Sequence, residues 1–153
     1  MNEDAFHPDF GPAGSADRNA LRTRVQHVRG ADLDDRTAQT SGMKRLAAIS
    51  GESVGAERIW TGQTHVAPDT ASDNHHHGES ETSIYVVRGN PEFVFHDGTD
   101  EVRVRTEPGD YVFVPPYVPH REQNPDPDRE AVVVISRSTQ EAIVVNLPEL
   151  YAL

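Results

Sequence analysis

The chain has 153 residues, the size of one ordinary domain with a single buried core. It carries 25 Asp and Glu against 14 Lys and Arg, a formal net charge of -11, so nucleic acid and membrane surfaces are not expected as partners. It contains no cysteine, which excludes disulfides, thiolate catalysis and sulfur-ligated metal sites, and leaves histidine, carboxylate and amide groups as candidate ligands.

The N-terminal segment differs from the rest of the chain in its pattern. Residues 1–20 carry almost no periodic apolar residues, and we expect a flexible acidic tail there, followed by one domain over residues 21–153. There is no basic segment followed by an apolar run, and no stretch of about 18 apolar residues. The sequence therefore predicts neither a signal peptide nor a membrane span, and favours a cytoplasmic protein.

Short runs rich in Val, Ile, Tyr, Phe and Thr recur along the chain, separated by Gly, Pro, Asp and Asn. This pattern is typical of an antiparallel β-sandwich or barrel, so the predicted fold class is all-β. One short helix is expected between Asp34 and Ser50. Asp97 and Gly98 predict a hairpin turn, because Gly tolerates the positive φ of a tight turn. The predicted strands cover about residues 23–29, 56–66, 75–78, 82–88, 92–96, 101–105, 111–114, 119–123, 131–137 and 142–146.

Three consecutive histidines open the segment NHHHGESETSIYVVRG, residues 74–89. In an extended strand, residues two apart project to the same face, so His75 and His77 can direct both imidazoles at one ion while His76 points the other way. Two imidazoles are too few for a tight metal site. Taken alone, the segment is therefore better explained as a solvated polar loop than as a metal site.

A second segment, PGDYVFVPPYVPHREQN at residues 108–124, changes that balance. Together with the pattern His75-x-His77-x3-Glu81, its Gly, Pro and His120 spacing closely resembles the paired motifs of the cupin superfamily. The resemblance implies a jelly-roll β-sandwich or barrel of antiparallel strands with a metal inside. It also implies that His75, His77 and His120 are metal ligands.

Two positions depart from the cupin pattern. Asp69 stands where the family has a Gly before the first His, and Tyr117 stands where it has a Gly after the Pro. We expect the bulky Tyr117 to narrow the mouth of the barrel.

The fourth ligand stays open at this point. Glu81 has the family spacing from His77 but lies one position too far from the turn at Gly89. Strict alternation places it on the face opposite Thr82, unless a bulge redirects it. His65 on the preceding strand is the next candidate, and water is the remaining one.

The resemblance implies one divalent transition metal as cofactor, and we favour zinc, with iron, nickel or manganese as alternatives. Few basic residues lie near the two motifs, so we expect an apolar pocket and a hydrophobic or aromatic small-molecule substrate.

Over about residues 23–150 the chain is similar to bacterial single-domain cupins, and among these it resembles the monocupin cyclases of actinobacterial aromatic-polyketide pathways. That resemblance implies a Lewis-acidic ion that promotes enolisation and aldol closure of a poly-β-ketone, with Glu81 as candidate catalytic base. A non-haem iron dioxygenase is the first alternative, because three His and a carboxylate also suit Fe(II). A cupin that binds a metal or small ligand without turnover is the second.

The strand-forming runs AVVVISR, residues 131–137, and EAIVVNL, residues 141–147, would leave unpaired edges if they lay at the border of a sheet. Pairing of such edges between two copies would cover them. The sequence therefore predicts a homodimer.

Overall fold

The structure, a computed structural model, describes residues 24–140 and 143–150. In this part of the chain it has eleven strands, one turn of 3-10 helix at Gly30–Asp32 and one short helix, α1, at Gly51–Val54. The strands are β1 Met43–Ile49, β2 Trp60–Val66, β3 Thr70–Ala71, β4 His75–His76, β5 Thr82–Arg88, β6 Glu92–His96, β7 Glu101–Arg105, β8 Tyr111–Val114, β9 His120–Asn124, β10 Ala131–Arg137 and β11 Val145–Asn146. The all-β prediction is confirmed.

The strands form two antiparallel sheets. The first sheet has the order β1-β2-β10-β5-β8, and the second has the order β11-β4-β9-β6-β7 with β3 paired to β9. Neighbours within each sheet are mostly distant in sequence, as in a jelly roll. The arrangement is a jelly-roll β-sandwich, so each strand has one face toward the opposite sheet.

The hydrophobic core lies between the sheets. In β5 the alternate residues Thr82, Ile84 and Val86 are buried, while the residues between them are exposed. Phe93 of β6 packs against the apolar side chains of the first sheet. The core cluster consists of Ala47, Trp60, Ile84, Val86, Phe93, Val114, Val133 and Ile135.

Several predicted elements need correction. Residues 24–29 form no strand, and β1 occupies Met43–Ile49, inside the stretch where a helix was expected. The segment MKRLAAI has no strong strand propensity, and its pairing with β2 over the whole strand decides its conformation. The hairpin predicted at Asp97 and Gly98 is confirmed, with His96 paired to Glu101. The predicted tail, residues 1–20, lies outside the described residues.

Of the two runs expected at a sheet edge, residues 141–147 contain β11, which borders the second sheet, whereas β10 does not border the first. β10, the run AVVVISR, is the central strand of the first sheet and pairs with β2 on one side and β5 on the other. The first sheet instead ends at β1 and β8, and β8 exposes Tyr111 and Phe113. The argument for a homodimer through β10 is therefore wrong, and the homodimer itself stays a prediction.

Within the described residues, no helix is both long and apolar enough for a membrane span.

Both positions at which the chain departs from the family pattern have a positive φ angle. Asp69 has φ 49° and Tyr117 has φ 62°, and they are the two non-glycine residues with positive φ in the described part of the chain. The family's glycines stand at these positions because the backbone there is left-handed. The side chain of Tyr117 is exposed, with its ring centroid 5.9 Å from that of His76, and the narrowing of the barrel mouth stays a prediction.

The substitution Tyr117→Gly should stabilise the fold by about 0.5–1 kcal/mol, because relief of the left-handed strain exceeds the entropy that Gly adds to the unfolded chain. Urea unfolding measures the difference. Tyr111→Gly is the control in regular strand backbone: Tyr111 is also exposed, and Gly there should cost about 0.5–1 kcal/mol in addition to the lost ring contact with Tyr85, whose centroid lies 4.8 Å away. Equal losses of unfolding free energy in the two variants would contradict the argument that Tyr117 is strained.

Candidate metal centre

Four side chains meet between the sheets at one end of the sandwich. They are His75, His77, His120 and Glu122, here named the four-residue cluster, and one ligand atom from each lies within 4.8 Å of the others. The three imidazole centroids are 4.5–4.9 Å apart. This spacing lets one ion contact all four side chains after small side-chain adjustments, given metal–ligand bonds of about 2.0–2.2 Å.

Strand geometry brings the histidines together. Alternation directs His75 and His77 to the same side, and His76 turns away and accepts a hydrogen bond from the Gly78 amide at 3.0 Å. His120 arrives from β9, which pairs with β4 so that His75 and His120 stand directly opposite each other. The three sequence-predicted histidines are therefore neighbours, as the motif spacing implied.

Each of the three imidazoles is oriented by the backbone. Nδ1 of His75 lies 2.7 Å from the Asp73 carbonyl oxygen, Nδ1 of His77 lies 3.0 Å from that of Ile143, and Nδ1 of His120 lies 3.0 Å from that of Val118. A carbonyl can only accept, so each Nδ1 carries a proton, and in the neutral form of each ring Nε2 keeps its lone pair. This is the arrangement that orients histidines toward a metal.

The carboxylate of the cluster is Glu122, which sequence reasoning missed. Glu122 lies two residues after His120 in β9, and the burial of β9 alternates so that both side chains face inward. Its Oε1 is 3.8 Å from Nε2 of His120, and both side chains are buried. The alternation argument applied to His75 and His77 would also have identified Glu122, had it been applied to the segment HREQN.

Burial and charge set the protonation states in the cluster. Burial lowers the pKa of His75 and lowers that of His77 to about 4. For His120, burial acts downward, but the Glu122 carboxylate outweighs it and the pKa is raised. Burial acts upward on Glu122, yet His120 and the other two imidazoles hold its pKa at about 2. His75 and His77 therefore stay neutral beside an ionised Glu122, and a metal ion would have to displace the proton that Glu122 favours on His120.

The two candidates for the fourth ligand lie elsewhere. The side chain of Glu81 is exposed, because Thr82 takes the inward position at the start of β5 and no bulge redirects its neighbour. The Glu81 backbone is held by Ser138, whose hydroxyl accepts from the Glu81 amide at 3.0 Å. His65 pairs through Nδ1 with Glu130 at 3.0 Å, away from the cluster. Neither residue joins the other ligands.

A small cavity adjoins the cluster. It is lined by Ala38, Arg45, Trp60, His75, His77, Glu122, Ile135, Arg137 and Val144. Its volume is about 40 Å³, room for about three waters, since each needs roughly 10–15 Å³ of such space. The lining is mostly apolar, as expected, but it also contains two arginines. Both come from the first sheet, outside the two motifs, so motif-based reasoning did not see them.

The two-sheet fold with a histidine cluster between the sheets is that of a cupin. The family model described as Cupin domain matches residues 62–136, a stretch that contains the whole four-residue cluster. Together with the two-sheet architecture, this match shows that the fold is the cupin jelly roll. Among curated proteins, none matches the sequence.

Solved structures with the same fold include oxalate decarboxylases. That of Lactobacillus farciminis in complex with formate is 20% identical, with a TM-score of 0.62 over 72% of this chain and 32% of its own. A mutant of the Bacillus subtilis enzyme is 20% identical, with a TM-score of 0.62 over 72% of this chain and 29% of its own. The similarity shows the fold alone, and this chain spans about a third of the length of those enzymes.

The substitution Glu122→Gln should weaken Zn²⁺ or Mn²⁺ binding by at least about tenfold, because it removes the anionic ligand of the cluster. Competition with a chromophoric chelator measures the affinity. Glu81→Gln and His65→Gln are the controls and should bind metal as the wild type does. A loss in Glu81→Gln as large as that in Glu122→Gln would contradict the assignment of the fourth ligand.

Proposed function

We propose that this chain is a metal-dependent cupin enzyme. One divalent transition-metal ion is bound by Nε2 of His75, His77 and His120 and by the carboxylate of Glu122. The reaction takes place in the small cavity beside the ion, on a compact substrate that offers it an oxygen atom.

One observation carries the proposal: three imidazoles make the same contact between Nδ1 and a backbone carbonyl, and the three rings meet at the same point. Every Nδ1 faces a backbone carbonyl, so Nε2 is the ring nitrogen that each histidine has left to coordinate a metal. Nε2 of His120 is buried without a hydrogen-bond partner among the described residues. A buried polar atom without a partner is costly, and coordination of a cation would satisfy it.

The donor set narrows the metal without selecting one. Three imidazole nitrogens and a carboxylate oxygen suit zinc, iron, nickel and manganese, and the choice among them depends strongly on availability. Bacillus subtilis oxalate decarboxylase, one of the similar structures, has Mn(II) centres. Manganese therefore stands beside zinc, the metal that the sequence favoured.

A bound divalent ion supplies Lewis acidity to a coordinated oxygen and so stabilises a carboxylate or enolate. Side chains around the cluster set the charge and polarity of the site. Glu122 keeps a negative charge inside the site, and Trp60 and Ile135 cover its apolar side. Glu81 is absent from the cavity lining, so the catalytic role considered for it has no support in the geometry.

The size of the cavity distinguishes among the reactions that such a metal site could catalyse. A polyketide cyclase must hold a long poly-β-ketone, whereas the described residues leave about 40 Å³ beside the cluster. This favours a small oxygen-rich substrate over the hydrophobic or aromatic one expected from sequence. Cyclisation, Fe(II)-dependent dioxygenation and binding without turnover are the alternatives that assay must separate.

Removal of the metal should lower the melting temperature. A ligand present at 100 times its Kd stabilises the folded state by about 2.7 kcal/mol. For a domain of this size, that corresponds to a shift of roughly 5–10 °C. Differential scanning calorimetry before and after chelator treatment, and after addition of Zn²⁺ or Mn²⁺, measures it. His77→Ala should show no response to added metal, and a wild-type response in this variant would refute the ligand set.

Turnover is tested by assaying protein loaded separately with Zn²⁺, Mn²⁺ or, anaerobically, Fe²⁺. Small organic acids are followed by CO₂ release, a flavonol and a catechol by oxygen consumption, and a poly-β-ketone by product analysis. We expect metal-dependent turnover of a compact acid, lost in His77→Ala. Metal-dependent closure of the poly-β-ketone would support a cyclase instead, and metal binding with no turnover in any assay would support a binding protein.

A further inference from the structure

We propose that the cavity beside the four-residue cluster is a subsite for a compact carboxylate, and that Arg137 is the residue that recognises its charge. This inference names the substrate class of the proposed metal-dependent enzyme and rests on that function. The expected ligand is a small organic acid with a second oxygen group, such as a hydroxy acid, a keto acid or a dicarboxylate.

The register of the first sheet places Arg137 inside the sandwich. Arg137 is the last residue of β10 and stands opposite Trp60 of β2 on one side and Thr82 of β5 on the other. Paired residues of an antiparallel sheet project to the same face, and all three are buried. Arg137 therefore faces the second sheet, at the end of the sandwich where the cluster lies, and lines the same cavity.

The guanidinium of Arg137 has no anionic partner of its own. The residue is 9% exposed, and its Nε is buried without a hydrogen-bond partner in the part of the chain that the structure describes. No carboxylate of the described residues forms a salt bridge with it, and Glu122 acts on it only at longer range. A buried and unpaired cation is among the most costly groups in a protein interior. An anionic ligand would supply the missing charge.

Trp60 orients the guanidinium. The Arg137 Cζ atom lies 4.2 Å from the centroid of the indole, a cation–π contact. This contact uses the π face of the indole and no N–H acceptor, and the Nε–H of Arg137 remains without a hydrogen-bond partner among the described residues. This is the geometry in which Arg binds a planar carboxylate through parallel hydrogen bonds.

Burial lowers the pKa of Arg137 to about 10, so the side chain stays charged at neutral pH.

A second arginine contributes to the positive potential of the cavity. Arg45 of β1 lines it, and its Nη1 donates to Thr40 Oγ1 at 2.8 Å and to the Ala38 carbonyl at 3.2 Å. Neither of these two partners carries a negative charge. Two guanidinium groups that line one cavity repel each other, and an anion between them relieves that repulsion.

The position of the cluster defines the second half of the ligand. His75, His77 and Glu122 line the same cavity as Arg137, and its volume is about 40 Å³. A ligand confined to that space and held by Arg137 also contacts the metal side of the cavity. A carboxylate with only an apolar remainder could pair with Arg137 but would have no group to bind at the metal side of the cavity. A second oxygen group is therefore expected.

The test uses glycolate and its neutral amide, glycolamide, which have the same number of heavy atoms. Calorimetry measures their binding to the full chain, both metal-loaded and treated with chelator. We expect glycolate to bind at least about tenfold more tightly than glycolamide in both forms, because charge-assisted hydrogen bonds distinguish the two. This comparison needs no variant. Equal affinities, or no binding of glycolate, would overturn the subsite.

Arg137→Gln should lose at least about tenfold in glycolate affinity while it keeps its metal stoichiometry. Arg137→Lys retains the charge but lacks the paired N–H donors of the guanidinium. Its glycolate affinity should lie between those of the wild type and Arg137→Gln. Arg88→Gln is the matched control, since Arg88 lies on the same sheet with its side chain 65% exposed, and it should bind as the wild type does. Wild-type affinity in Arg137→Gln would refute the inference.

The two proposals fail separately in this design. Wild-type protein that takes up no metal, yet binds glycolate in an Arg137-dependent manner, would disprove the metal-dependent function and support the subsite. The opposite result is metal binding through the cluster together with equal glycolate affinities in the wild type and in Arg137→Gln. It would disprove the subsite and leave the metal-dependent function standing.

Discussion

Three hydrogen bonds from imidazole Nδ1 atoms to backbone carbonyls are the constraint on which the candidate site depends. They connect His75, His77 and His120 to Asp73, Ile143 and Val118, each in a segment that lies outside the strands. A free histidine can rotate and exchange tautomers, whereas these three are held with Nε2 directed at one point. The loops that end the strands therefore prepare the ligands, and the strands only bring them near one another.

The two sheets contribute different chemistry to the cavity. The second sheet supplies His120 and Glu122 on β9, and His75 on β4 beside it. The first sheet supplies Trp60 and Arg137, paired across β2 and β10. The candidate metal ligands and the buried Arg137 thus face each other across the sandwich. A small space that holds both favours a polar, compact ligand, although the domain as a whole carries a strong negative charge.

Local patterns predicted more of this site than of its surroundings. The spacing of His75, His77 and His120 depends on strand alternation and on the cupin motifs, and both are visible within short segments. Glu122 was within reach of the same reasoning, because it lies two residues from His120. Glu81 satisfied a family spacing but lies on the outer face, because Thr82 takes the inward position in β5. At Asp69 and Tyr117 the departures from glycine were visible in the sequence, but their left-handed backbone was not.

The sequence alone determined the all-β class, the absence of sulfur chemistry and the three histidines, because composition, period-two alternation and motif spacing are properties of short stretches. Only the tertiary structure decided that β10 is central, that β1 is a strand and that Arg137 stands in the cavity. These features depend on which strands become hydrogen-bonded neighbours and which faces are stacked. Such pairings join residues that are far apart in the chain, for example Trp60 and Arg137, and no local pattern in either segment encodes them.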